Sequence, residues 1–136
     1  VPPLDINDSN IPNGNSIFLL NCKKLEAITE DNKWKNMTSE LAKSFHSFLN
    51  LQSTQMVSFI KNLNMCEEFI TFTFFGDIKK IKEIHKYVKS KYLKSSTIIY
   101  KDDLNDNYLT VCKNQTCSNK IKTLKELEPV EKSYEI

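Results

Sequence analysis

Residues 69–77, Phe69-Ile70-Thr71-Phe72-Thr73-Phe74-Phe75-Gly76-Asp77, run straight into Ile78-Lys-Lys-Ile81-Lys-Glu-Ile84-His-Lys-Tyr-Val88-Lys-Ser-Lys-Tyr92. In the first part Ile70, Phe72 and Phe74 alternate with threonines at a period of two, the pattern of a half-buried strand. Gly76-Asp77 stops that strand, with Asp77 placed to cap the next element. In the second part Ile78, Ile81, Ile84, Val88 and Tyr92 recur every three or four residues, the apolar stripe of a helix. A strand that becomes a helix across two residues predicts a domain of mixed class.

Working outward, Ile17-Phe18-Leu19-Leu20, ending at Asn21-Cys22, reads as a short buried strand by length and flanks. Met37, Leu41, Phe45, Phe48 and Leu49 come next at helical spacing, with Thr38 and Ser39 as cap residues and an end near Asn50. Gln55 to Lys61 has strand character. Beyond the central pair, Thr97 to Tyr100 and Tyr108 to Cys112 read as strands about a turn at Asp102–Asp106. Lys120 to Glu128 forms a short helix before Pro129. The predicted fold is therefore α+β: a ferredoxin-like split βαβ sandwich (β-α-β-β-α-β) with an added C-terminal hairpin strand and tail. Right-handed crossovers give the strand order 4-1-3-2. Residues 1–15 read as an extended lead-in beginning at a trimmed terminus, 16–128 as a single α+β domain, and 129–136 as a C-terminal tail.

The chain has 136 residues, of which 40% are apolar and 26% charged, a globular composition with a net charge of +2. All 19 basic residues are lysine, and glycine occurs only at positions 14 and 76. The chain thus lacks the planar fork used for bidentate phosphate recognition and cannot build a glycine-rich phosphate loop. With its many asparagines, this bias is of the kind that an A+T-rich parasite genome imposes. No nucleotide or other cofactor is expected.

In the predicted order the end of strand one meets the start of strand three, which pairs Cys22 with Cys66 and leaves Cys112 to close a short loop with Cys117. No Cys-x-x-Cys pair exists and both histidines lie far from any cysteine, so no metal site is expected. The even cysteine count and two sequons, at Asn36 and Asn114, predict a disulfide-bonded glycoprotein that is secreted, at the cell surface or in the secretory lumen. No apolar run is long enough to span a bilayer.

Catalytic constellations are missing. His46 and His85 sit at the edges of apolar stripes, Glu67-Glu68 and Asp102-Asp103 face opposite sides of extended backbone, and no serine lies in a nucleophile elbow. Asp103-x-Asn105-x-Asn107 opens like a calcium loop, but Tyr108 and Asn114 replace its glycine and closing acid. The strand order is also similar to that of the RNA-recognition motif. Phe69 matches one stacking position, but Glu67, Glu68 and Thr71 replace the base, the glycine and the second stacking aromatic, so no nucleic-acid partner is expected. The remaining signal is charge. Lys79, Lys80, Lys82, Lys86, Lys89, Lys91 and Lys94 face only Asp77 and Glu83, a local excess of about +5 that can steer an acidic protein or an anionic glycan. The expected function is a non-enzymatic interaction module. The alternative is an inhibitory propeptide-like domain of a secreted protease, similar to subtilisin-type propeptides, with residues 129–136 as the inserted tail.

Overall fold

The computed structural model describes residue 8 and residues 13–93, 96–113 and 116–136; of residues 47–53 only the backbone is described. It is an α+β protein with five α-helices and a four-stranded mixed sheet. The chain divides into two compact units, residues 1–68 and 69–136, where the sequence reading expects one domain over 16–128.

The first unit is all helical: α1 (Gly14–Thr29), α2 (Asn32–Gln52) and α3 (Val57–Glu67). Two expected strands are thereby corrected. Ile17–Cys22 lies within α1, where Asn13 Oδ1 accepts from Ser16 N at 3.1 Å to start the helix and Glu30, at φ 58°, ends it. The apolar run 17–20 is long enough for a strand, but the buried positions Ser16, Leu19 and Cys22 are spaced by three. Gln55–Lys61 likewise belongs mostly to α3, because Met56, Phe59, Leu63 and Cys66 continue one helical stripe beyond the short window that looks strand-like. Leu19, Phe45, Met56, Phe59 and Cys66 form the core, with Phe45 and Phe59 edge to face at 4.8 Å. Met56 offers α3 no side-chain cap. Asp8 supplies one from 50 residues away, accepting from Ser58 N at 2.6 Å and from the Ser58 hydroxyl.

The second unit carries β1 (Ile70–Phe75), a 3₁₀ turn (Ile78–Ile81) running into α4 (Lys82–Tyr92), β2 (Thr97–Lys101), β3 (Tyr108–Lys113), β4 (Thr116–Cys117) and α5 (Leu124–Tyr134). The sheet order is β2-β1-β3-β4, with β1 parallel to β2 and antiparallel to β3. With no strands from residues 17–22 and 55–61, the ferredoxin-like order falls. The strand at 97–101 joins β1 directly through α4, and the expected hairpin strand at 108–113 pairs with β1 on its other side. Phe72, Phe74, Leu109 and Val111 share one sheet face, packed with Ile84 and Val88 of α4 and Leu127 of α5. Gly76 is required at the end of β1: its φ is 75°, and a Cβ there would collide with the Asp106 carbonyl oxygen and lie 2.8 Å from Asn107 Oδ1.

The expected tail is also corrected. Pro129 lies inside α5, which runs to Tyr134 from a capping box made by Thr123 and Glu126. Of the two expected disulfides, Cys112–Cys117 joins β3 to β4, whereas Cys22 and Cys66 are free, buried thiols. The strand ends on which their pairing rested are helical. No helix among the described residues is long and apolar enough to cross a membrane.

Candidate functional site

Six of the seven lysines in the charged segment lie on the 3₁₀ turn and α4, all exposed; Lys94 lies outside the described residues. Asp77 starts the segment by accepting from Lys79 N at 2.9 Å, and its own N–H is held by Asn107 Oδ1 at 2.7 Å. Burial of Ile81, Ile84, Val88 and Tyr92 then fixes which way the helix faces. Lys82, Lys86 and Lys89, at spacings of four and three, fall on one outward stripe, with Lys79 and Lys80 on the turn before it. None of these five forms an ion pair among the described residues.

Lys91 leaves the group. It lies on the far side of α4, where Nζ donates to Tyr87 Oη at 3.1 Å and to Glu131 Oε1 at 3.2 Å, while the Tyr92 hydroxyl donates to the same carboxylate. Burial, followed by the bond to Glu131, pushes the Tyr92 phenol up to about 12, and the bonds to Tyr92 and Tyr87 raise the Lys91 ammonium. Glu131 falls below the usual carboxylate range: burial raises it, but the bonds from Tyr92, Lys91 and Tyr87 outweigh that. This cluster ties α5 to α4, and the Lys91 charge is already paired with Glu131. Reading Pro129 as a helix stop hides it, because Glu131 then falls in a tail.

His85 borders the lysine stripe. Its Nε2 is 2.9 Å from Tyr100 Oη at the end of β2, and its ring meets Phe74 edge-on at 5.2 Å. Burial, and then the nearby Lys89 charge, lower the imidazole pKa, so it favours the neutral form. The contacts of this pair among the described residues are the hydrogen bond and the ring contacts with Phe74 and Tyr100. His46, on α2, belongs to the other unit.

The remaining candidates are structural. Asp103 Oδ1 accepts from Asn105 N and Asp106 N, an Asx turn and not a cation loop. Asp106 is held down to about 2 by Lys122 and Lys120. No group of three metal-ligating side chains occurs among the described residues. Asn36 is exposed on α2, and Asn114 lies outside the described residues. Two features escaped sequence reasoning: the distant Asp8 cap, and an open cleft of about 520 Å³ between residues 118–121 and α5, lined in part by Ile121, Glu126, Val130 and Tyr134. No local pattern announces either, because both join segments that are far apart or separated by a turn. No family model matches the chain, and no curated protein is similar to it in sequence.

Proposed function

We propose that this protein is a non-enzymatic interaction module, secreted or displayed at a cell surface, that binds an acidic protein or anionic glycan through Lys79, Lys80, Lys82, Lys86 and Lys89. The observation that carries this reading is the stripe Lys82–Lys86–Lys89, exposed and without ion pairs among the described residues. Like charges four apart on a helix destabilise it by roughly 0.2–0.5 kcal/mol. The same helix does recruit a carboxylate, Glu131, for its one lysine with a packing role. An acidic partner would remove the repulsion, and the dense charge would speed its approach. The Cys112–Cys117 bond favours an oxidising compartment. The propeptide reading needs residues 129–136 as an extended tail; most of them are helical, and it is not pursued.

The test is charge reversal. Lys79, Lys82, Lys86 and Lys89 are changed together to glutamate, and heparin retention is measured against salt, with circular dichroism as the folding control. Loss of retention in a folded variant supports the site. Unchanged retention makes the lysines a solvated face.

A further inference from the structure

We propose that Cys22 and Cys66 are a second disulfide site, a cross-link between α1 and α3 closed by exchange with a small-molecule disulfide such as oxidised glutathione. The sulfurs share one environment. The Cys66 thiol is directed at the Leu19 carbonyl oxygen, 3.9 Å away. Leu19 precedes Cys22 by three residues on α1, and a helical side chain leans over the turn N-terminal to its own Cα. The Cys22 sulfur therefore hangs over the turn that Cys66 reaches from α3. Both residues are buried, at 1% and 8% exposure, and the other two cysteines, Cys112 and Cys117, are bonded to each other.

The same burial sets the kinetics. Desolvation raises the Cys22 thiol and pushes Cys66 up to about 11; for Cys66, Lys23 opposes that rise while Glu26, Cys22 and Glu67 add to it. That Cys66 responds to charge on Cys22 is a further sign of proximity. Little thiolate exists in the closed unit, so exchange proceeds during folding or when α1 and α3 part locally. One thiol, Cys66 being the less buried, loses its proton to water and attacks a sulfur of the donor disulfide. This releases one donor thiol and leaves a mixed disulfide. The other cysteine loses its proton and attacks the protein sulfur of that mixed disulfide, releasing the second donor thiol. Two electrons and two protons pass from the cysteines to the donor.

The full chain is reduced, unfolded and refolded in a mixture of reduced and oxidised glutathione, then alkylated and mapped without reductant. The expected result is a linked peptide pair containing Cys22 and Cys66 beside the Cys112–Cys117 pair, with both remaining pairings absent. In the folded chain, oxidised glutathione should consume the two thiols roughly tenfold faster when urea is raised to just below the unfolding transition. The Cys66→Ser chain should never show an intramolecular bond to Cys22. Two alkylated thiols after refolding, a covalent dimer through either residue, or a bond from either to Cys112 or Cys117 would each overturn the proposal. The mapping is done on the native sequence, so its outcome does not depend on how well the variant folds.

Discussion

The two units solve the problem of long-range closure by opposite means. In residues 69–136, β1 is paired on both sides, and half of its buried core neighbours come from the 3₁₀ turn and α4 directly after it. The covalent bond there spans five residues of a hairpin whose register already opposes Cys112 to Cys117. In residues 1–68, three helices pack around Leu19, Phe45, Met56, Phe59 and Cys66, one helix is capped by a carboxylate from 50 residues away, and Cys22 and Cys66 are buried, unbonded thiols. The disulfide thus sits where the loop is short and the entropic gain smallest. A bond at Cys22–Cys66 would close roughly 44 residues and stabilise by about 4 kcal/mol, against about 2 for the hairpin loop. The covalent and non-covalent ties are distributed by geometry and accessibility, not by where they would stabilise most.

The largest expected effects break the second unit through β1. Phe72→Ala removes a fully buried ring stacked on Tyr92 at 4.9 Å and should cost roughly 3–5 kcal/mol, read by urea denaturation. A loss under 1 kcal/mol would mean that β1 is not the centre of that core. Gly76→Ala should cost roughly 3 kcal/mol, since strain at positive φ adds to a collision with the Asp106 carbonyl. If alanine is tolerated, the turn after β1 does not pack against the 103–107 loop.

The same contrast explains what was legible. From Phe69 onward each element had its own punctuation: Gly76-Asp77, the Asp102–Asp106 turn, and alternation in 70–75 that no helix would show. β1, β2 and β3 therefore lie within a residue or two of expectation, and the expected helix over 78–92 is a 3₁₀ turn at Ile78–Ile81 running into α4 at Lys82. Upstream, Ile17–Leu20 and Met56–Ile60 are apolar runs too short to separate a strand from a buried helix by period. The deciding residues, Ser16 and Cys22 for α1, and Leu63 and Cys66 for α3, lie at or beyond the ends of those runs. Misreading those two segments imposed the ferredoxin-like order and, with it, the wrong physical ground for pairing Cys22 with Cys66. Lys82, Lys86 and Lys89 lie exposed on one side of α4 because their placement depends only on the apolar stripe of that helix. Lys91's departure from that side depends on Glu131, which no local pattern could assign.

Two smaller effects compare the ties directly. Reduction of Cys112–Cys117 should lower stability by about 2 kcal/mol, read from urea midpoints with and without reductant. No shift would mean that the β3–β4 pairing holds equally well without the bond. Asp8→Ala should cost about 1 kcal/mol by uncapping α3. Burial pushes the Asp8 pKa up, but bonds from the Ser58 hydroxyl, Ser58 N–H and Asn13 N–H bring it below 3.8. Its contribution is therefore full above about pH 4 and fades as pH falls through the lower folded value. The difference between parent and Asp8→Ala chains should shrink on acidification below about pH 4; a constant difference would remove the carboxylate from the capping role.

The smallest effect has the opposite sign. Lys82 occupies the first turn of α4, where a positive charge opposes the helix dipole, and Lys86 stands four residues on. Lys82→Glu reverses both interactions: an acid now sits near the N-terminus, and a Glu-to-Lys pair forms in its favourable direction. Together these should stabilise the chain by about 0.5–1 kcal/mol at low salt, with the gain shrinking as salt screens it. Heparin retention should fall in the same variant. A single substitution that raises the thermal midpoint while weakening retention would show that the stripe is kept against stability, as a binding face is. If Lys82→Glu lowers both together, the charge contributes to the fold of α4, and the contrast between a packed Lys91 and an outward-facing Lys82 fails.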